Sequence, residues 1–279
     1  MAAKPVVVGV DGSEGALRAV EWAALEAERR KASLRILSAP AMPSRMHGDH
    51  GPAQTVATEL RGFAERALEE AVTRAEEIAP SLSIDTGLLT GAPAEAIAGS
   101  GSGALMVVVG ARGIGGFAAL VLGSVSRYVA SRAACPVVVV RAGAAAVHRE
   151  IAVGVRDPRE ATEALAFGFE EAALRGAGLA AVYASHTAGH PDGDEREALA
   201  ETLGEWRDKY PAVAARPEII SGHPGQVLAE YSGRADLLVV GRHGTPAADH
   251  AGLGHAIGSV PHTVLSHARG PVAVIPCVD

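Results

Sequence analysis

The most informative stretch for the fold of the first half of the chain is VVVGARG at residues 107–113, followed by GSVS at 123–126. An apolar β-branched run that ends at Gly110 is typical of a strand buried on both faces. Small residues follow, and Gly123 precedes a helical pattern. A strand, a glycine loop and a helix start in this order suit an anion, because glycines admit it close to the backbone and N–H groups at the helix start bind it.

The helix after this loop is predicted from apolar residues at helical spacing. Val125, Val129 and Ala133 would lie on one face. Ser124 is expected to be the N-cap, and the hydroxyls of Ser124 and Ser126 are expected to add donors for a phosphate. The alternative that stays open is a glycine-rich turn that only links the strand to the helix.

The spacing Gly110-x2-Gly113-x9-Gly123-Ser124 resembles the nucleotide-binding signature of the universal stress protein family. The similarity continues through GSVS and into ACPVVVV at 134–140. Three fixed spacings in a strand–loop–helix context make this motif more specific than a lone pair of glycines.

Five apolar runs alternate with helical patterns along the first half of the chain. Parallel neighbours need crossover helices, so this alternation predicts an α/β domain with a doubly wound, five-stranded parallel sheet. A ligand in such a sheet is expected beyond the carboxyl ends of the strands, where Asp11 and Gly110 both stand. The predicted strands are 6–10, 34–39, 83–89, 105–110 and 137–140. The first predicted helix starts at Ser13, the second runs from about 56 to 79, and the others start at Pro93 and Ser124. The first is expected to face inward through Leu17, Val20, Ala24 and Ala27, and the second has apolar residues at helical spacing at Val56, Leu60, Phe63 and Ala67.

The same pattern begins again after a small-residue linker at 141–148. Residues 151–155 repeat 6–10, and 235–244 repeat 104–113. We therefore predict two tandem domains, at 1–142 with an intact nucleotide motif and at 149–279 with a degenerate one. The resemblance covers nearly the whole chain twice, and it implies that the two domains are related by a pseudo-twofold axis and pair along their last strands.

The resemblance implies a nucleotide site in the first domain. In the family, an Asp after the first strand contacts the ribose, backbone after the second strand contacts adenine, and the glycine motif holds the phosphates. Ile114 and Leu105 depart from residue types common in the family. The residues that carry these roles over to this chain are Asp11, Ala39, Val109, Gly110, Arg112, Gly113, Gly123, Ser124, Val125 and Ser126.

The second domain keeps only part of this site. Arg156 takes the aligned Asp position, and Asp157 one residue later would point to the other face of the strand. Pro261 replaces the aligned serine, and the loop is longer. Weak or absent ATP binding is therefore expected here, and a pairing of Arg156 with a phosphate is the alternative. The candidate residues of this weaker site are Gly241, Gly244, Gly258 and Ser259.

Composition excludes several classes of function. The chain has 279 residues, 48% of them hydrophobic, and a net charge of −7 without a basic run, so nucleic acid is not an expected partner. No apolar stretch approaches ~20 residues, so a membrane is not an expected partner either. None of the three lysines lies near the glycine loop, which excludes a Walker-type site. Cys135 and Cys277 are expected to be small buried residues without a disulfide, in a protein of the cytoplasm.

Histidines concentrate late in the chain, but their spacing does not favour a metal site. His262 and His267 align with Arg127 and Arg132 and are five residues apart on a helix, so they are expected to be solvated polar positions. Three further histidines stand at His243, His250 and His255. No metal ligand is predicted from the protein, except that Asp11 is compatible with Mg²⁺ bound together with ATP.

The functional hypothesis is a binding module in the stress response that holds ATP, with Mg²⁺, chiefly in the first domain. Two alternatives stay open: slow ATP hydrolysis or phosphate transfer at the same site, and an interaction protein that needs no nucleotide. No paired carboxylates stand near the loop, so catalysis is not the leading hypothesis. The role in stress rests on the resemblance, which also leaves dimerisation of the whole chain open.

Overall fold

The computed structural model describes residues 3–41, 52–113, 122–141, 147–158, 163–185, 193–242 and 257–277, with the backbone alone at 52 and 53. The chain forms two compact units, Met1–Val140 and Arg141–Asp279. The predicted domains at 1–142 and 149–279 differ from these bounds only in the linker. Each unit is described below by itself.

Unit 1 is a five-stranded parallel sheet with the strand order β3-β2-β1-β4-β5. Helices connect strands that run in the same direction, as parallel pairing requires. The elements are β1 (Val6–Val10), α1 (Glu14–Arg30), β2 (Leu34–Ser38), α2 (Pro52–Ile78), β3 (Ile84–Leu88), α3 (Pro93–Gly99), a 3₁₀ turn (Ser100–Gly103), β4 (Met106–Gly110), α4 (Ser124–Arg132) and β5 (Val137–Val140).

Unit 2 repeats this topology, with the strand order β8-β7-β6-β9-β10, again parallel throughout. The tandem α/β architecture predicted from the sequence is therefore confirmed. Its elements are β6 (Glu150–Val155), α5 (Glu163–Arg175), β7 (Gly178–Ser185), α6 (Gly193–Lys209), β8 (Ala215–Ser221), α7 (Pro224–Tyr231), a 3₁₀ turn (Ser232–Arg234), β9 (Leu237–Arg242), α8 (Ser259–His267) and β10 (Val272–Pro276).

The sheet of unit 1 reverses its winding direction between β1 and β4. From β1 the chain moves outward through β2 to β3, and it then returns to the other side of β1 as β4. The connections that leave β1 and β4 diverge at this switch point, which opens a crevice beyond the carboxyl ends of the two strands. Both strands are almost fully buried, which is why they read as continuous apolar runs.

Helix α1 packs on the sheet through small and apolar side chains. The predicted inward residues Leu17, Val20, Ala24 and Ala27 are all buried. Ser13 caps the helix, because its hydroxyl oxygen accepts from the backbone N–H of Ala16 at 3.2 Å. The predicted start and inward face of this helix are confirmed.

Helix α2 is buried less completely than its spacing predicts. Ala67 is buried, whereas Val56 is 37% exposed and Phe63 is 42% exposed. The ring of Phe63 instead lies over the turn at Gly12, 3.0 Å from where a β-carbon on that glycine would stand. Part of the predicted apolar face therefore covers the turn that follows β1.

The cysteines are free thiols, as expected. Cys135 is buried, and burial raises its pKa to about 11, so it remains a protonated apolar side chain. Cys277 is half-buried, and burial likewise raises its pKa to about 11. No helix formed by the described residues is long and apolar enough to cross a membrane.

Candidate functional site

A cavity of about 340 Å³ lies beyond the carboxyl ends of β1 and β4 in unit 1. This volume is within the range of small-molecule sites. Every residue predicted for the first-domain site lines it: Asp11, Ala39, Val109, Gly110, Arg112, Gly113, Gly123, Ser124, Val125 and Ser126. The structure thus brings together residues that stand up to 115 positions apart (126 − 11 = 115).

Asp11 carries the carboxylate of this cavity. It directly follows β1, and its Oδ1 accepts from the backbone N–H of Ser13 at 3.1 Å. Its Oδ2 stands so close to Gly113 that a β-carbon on that glycine would collide with it. Glycine at 113 therefore lets the loop pass directly beside the carboxylate.

The end of β4 is packed against the start of α1. A β-carbon on Gly110 would stand 2.6 Å from the backbone carbonyl of Gly15. The hydroxyl of Ser13 donates to the carbonyl oxygen of Arg112 at 3.4 Å, across the same junction. The side chain of Arg112 itself is exposed at the cavity.

Gly110→Ala is expected to destabilise unit 1 by about 1 to 3 kcal/mol, since the new methyl group meets backbone that cannot rotate away. Thermal unfolding of the purified variants measures the effect. Gly103→Ala is the matched control, because its β-carbon would meet nothing within 4 Å and its φ is not left-handed. Equal melting temperatures for the two variants would contradict this close packing.

The start of α4 presents backbone donors to the cavity. Gly123 is the N-cap, and the first intrahelical bond runs from the N–H of Arg127 to the carbonyl of Gly123 at 3.1 Å. The N–H groups of Ser124, Val125 and Ser126 therefore have no acceptor within the helix. Such a group of donors at the positive end of the helix dipole favours an anion.

Two details of the sequence prediction are corrected at this helix. Ser124 is the first helical residue and not the N-cap. The N-cap is Gly123, whose backbone is extended and immediately precedes the helix. Ser126 is buried, and its hydroxyl donates to the carbonyl oxygen of Gly110 at 2.6 Å. This hydrogen bond connects α4 to the end of β4, so the Ser126 hydroxyl does not donate to a phosphate.

Apolar side chains also line the cavity. Val109 from β4 and Ile97 from α3 line it together with Ala39, which follows β2. The hydroxyl of Ser38 donates to the carbonyl of Val10 at 3.0 Å and ties the ends of β1 and β2 together. Ile97 was not predicted as a site residue, although its place in the helix after β3 was the available signal.

A second cavity, of about 390 Å³, occupies the corresponding place in unit 2. Of the predicted weaker site, Gly241, Gly258 and Ser259 line it, and Gly244 lies outside the described residues. Arg156 follows β6 and lines the cavity where unit 1 has Asp11.

The metal prediction is only partly within the described residues. His262 and His267 are exposed on α8, whereas His243, His250 and His255 lie outside the described residues. Among the residues that the structure describes, no group of three or more His, Cys, Asp or Glu is placed to hold a metal ion.

The fold and these crevices define a doubly wound α/β protein that is duplicated in one chain and has a cavity at the switch point of each unit. The profile of the universal stress protein family matches residues 2–141 and 148–276. The chain belongs to the universal stress protein family.

Similar proteins extend over almost the whole chain. A universal stress protein of Mycobacterium tuberculosis is 32% identical, with 96% of both chains covered. One from Mycolicibacterium smegmatis is 29% identical over 97% of this chain and 96% of its own. The crystal structure of a universal stress protein from Archaeoglobus fulgidus has a TM-score of 0.75 at 18% identity, and covers 100% of this chain and 98% of its own, which supports the fold.

Proposed function

We propose that unit 1 binds ATP together with Mg²⁺, and that the chain acts as a nucleotide-dependent regulatory module of the stress response. The observation that carries this proposal is the meeting of three features in one cavity: the Asp11 carboxylate, the glycines at the end of β4, and the backbone donors at the start of α4.

The lining of the cavity matches the two parts of a nucleotide. The apolar residues Ala39, Val109 and Ile97 suit a planar base, and the backbone donors at the start of α4 suit phosphates. Asp11 follows β1 and lies beside Gly113, where a carboxylate can accept from ribose hydroxyls or share Mg²⁺ with phosphate oxygens.

Unit 1 is proposed as the main ATP site because unit 2 differs in charge at the equivalent position. Arg156 stands where Asp11 stands, so a ribose hydroxyl loses its carboxylate acceptor there. Pro261 at the start of α8 also has no N–H, which removes one of the donors that α4 provides.

The test is to purify the chain without added nucleotide, denature it, and count and identify the nucleotide that is released. We expect about one ATP per chain, and about one site in a calorimetric titration of emptied protein. Two ATP per chain would show that unit 2 binds it as well. No release together with no binding on titration would overturn the proposal and favour an interaction protein that needs no nucleotide.

The described lining of the unit 1 cavity suits binding better than catalysis. Asp11 is the only carboxylate among the described residues that line the cavity, so a paired acid and base is not formed by them. The alternative of slow ATP hydrolysis is separated by a phosphate-release assay, in which turnover that disappears in Asp11→Asn would favour an enzyme.

A further inference from the structure

The cavity of unit 2 has kept the position of the first cavity and changed its chemistry. The two cavities are lined from corresponding positions on corresponding elements. The pairs are Gly9 and Gly154, Val10 and Val155, Asp11 and Arg156, Ala39 and Ala184, Pro93 and Pro224, Ile97 and Leu228, Val109 and Val240, Gly110 and Gly241, Gly123 and Gly258, Ser124 and Ser259, Val125 and Val260, and Ser126 and Pro261. A lapsed site would not need to keep an open cavity of about 390 Å³.

The charge of the residue that follows the first strand of the unit is inverted at this cavity. Arg156 follows β6 and brings an exposed guanidinium to the cavity. The described residues that line the cavity include no Asp or Glu, and Glu163 and Glu195 contact the lining residues Cys277 and Tyr183 without lining the cavity themselves. A guanidinium recognises a planar oxyanion through paired N–H donors, so the cavity favours an anionic group at this end.

The body of the cavity is apolar and partly aromatic. Tyr183 lines it from β7 at the position where β2 has Ser38, and the Tyr183 hydroxyl donates to Glu195 on α6 at 3.1 Å. Leu228 and Ile257 add buried aliphatic side chains. A ligand with an apolar or aromatic body therefore fits these side chains better than a ligand with polar sugar hydroxyls.

The start of α8 favours a smaller anion than a polyphosphate. Ser259 and Val260 provide backbone N–H groups at the cavity, and Pro261 provides none. Two donors together with one guanidinium match the two oxygens of a carboxylate.

We propose that the cavity of unit 2 is a separate binding site for a small organic anion with an apolar or aromatic body, an aryl or branched-chain carboxylate. Arg156 is its anion-recognising residue. This site does not depend on the proposed ATP site, because every described residue that lines it belongs to unit 2.

Cys277 provides a built-in reporter of occupancy. It lines the cavity and is half-buried, whereas Cys135 is buried in unit 1 and does not line either cavity. An occupant that fills the cavity is expected to slow alkylation of Cys277, and Cys135 serves as the internal control. Because burial raises the pKa of Cys277 to about 11, the labelling is run at alkaline pH.

The experiment uses the full chain with 2-naphthoate and its uncharged counterpart 2-naphthamide as probes. We expect naphthoate to bind at about one site per chain, about tenfold or more tighter than naphthamide, which is the ratio expected for one charged hydrogen-bonded contact. Naphthoate is expected to slow alkylation of Cys277 by iodoacetamide, read by mass spectrometry, whereas ATP leaves that rate unchanged.

Variants of Arg156 distinguish recognition of the carboxylate charge from non-specific apolar binding. Arg156→Gln is expected to remove the preference for naphthoate, and Arg156→Lys to keep much of it. Equal binding of the two probes to the natural chain, or protection of Cys277 by ATP and not by naphthoate, would overturn the proposal. Neither of these results requires a variant to fold, and both are independent of the outcome at Asp11.

Discussion

Replacing Asp11 by asparagine is expected to weaken ATP binding by the chain about ten- to a hundredfold. Asparagine has nearly the same shape, and its amide oxygen can still accept from the N–H of Ser13. The variant loses the negative charge, and with it the charged hydrogen bonds to ribose hydroxyls or the share in Mg²⁺. Hydrogen bonds to charged groups contribute about 1.5 to 3 kcal/mol each, which corresponds to this range.

The measurement is a calorimetric titration of nucleotide-free protein with ATP in the presence of Mg²⁺. Asp85→Asn is the matched control, because Asp85 is an exposed carboxylate of the same unit that pairs with Arg35 on the sheet edge. Its affinity for ATP is expected to equal that of the natural chain. Unchanged affinity in Asp11→Asn would place the nucleotide elsewhere and contradict the proposed site.

Comparing the affinities for ATP and for 2′,3′-dideoxy-ATP shows how Asp11 contributes to binding. If Asp11 accepts from the ribose, the natural chain discriminates between the two nucleotides, and Asp11→Asn discriminates less. If Asp11 acts through Mg²⁺ instead, removal of the ion with a chelator weakens binding to the natural chain more than to the variant. The two contributions of this carboxylate are thereby separated.

The order of strands and helices was predictable because it depends on patterns that a single sequence carries. The strands at Val6–Val10 and Val137–Val140 end where their continuous apolar runs end. The convergence of Asp11 and Gly110 was predictable for a topological reason, since the carboxyl ends of neighbouring parallel strands lie at the same edge of a sheet.

What the sequence did not predict depends on contacts between distant residues. The motif places Ser126 near a phosphate, but only the packing of α4 against β4 shows that its hydroxyl donates to Gly110. Helical spacing marks Phe63 as inward, but its ring lies over the turn at Gly12 instead of in the core. No local pattern distinguishes these outcomes from the predicted ones.

Buried glutamates are a further feature that sequence patterns conceal. Glu26 and Glu171 occupy the same position of the repeat (171 − 26 = 145), and both are fully buried. Each pairs with an arginine four residues later, Arg30 and Arg175. In sequence such a spacing is typical of an exposed helix pair, whereas here both partners are largely shielded from water. The repeat has thus kept this ion pair while the residue after the first strand changed from Asp to Arg.

Glu171→Ala is expected to lower the stability of unit 2 by about 3 to 5 kcal/mol, and its Tm by about 10 to 17 °C. The Glu171 carboxylate is fully buried, and the side chain of Arg175 is 10% exposed. Truncation leaves the arginine in a shielded place without the carboxylate that compensates its charge, which costs more than the pair contributes when intact. Glu171 and Arg175 both belong to unit 2, so the effect is expected there.

The chain offers a reporter for each unit, because its two tryptophans are Trp22 in α1 and Trp206 in α6. In a Trp22→Phe background, Trp206 fluorescence follows unit 2, where its ring stacks on Phe169 of α5 at 5.6 Å between centroids. Glu218→Ala is the control in the same unit, since its pair with Arg216 on β8 has side chains 35% and 48% exposed and contributes about 1 kcal/mol or less. Replacing Glu171 and Arg175 together by leucine and methionine is expected to recover most of the lost stability, because no unpaired charge then remains buried.

A Glu171→Ala variant whose free energy of unfolding is within about 1 kcal/mol of that of the natural chain would show that water reaches Arg175 and that the pair is not a buried one.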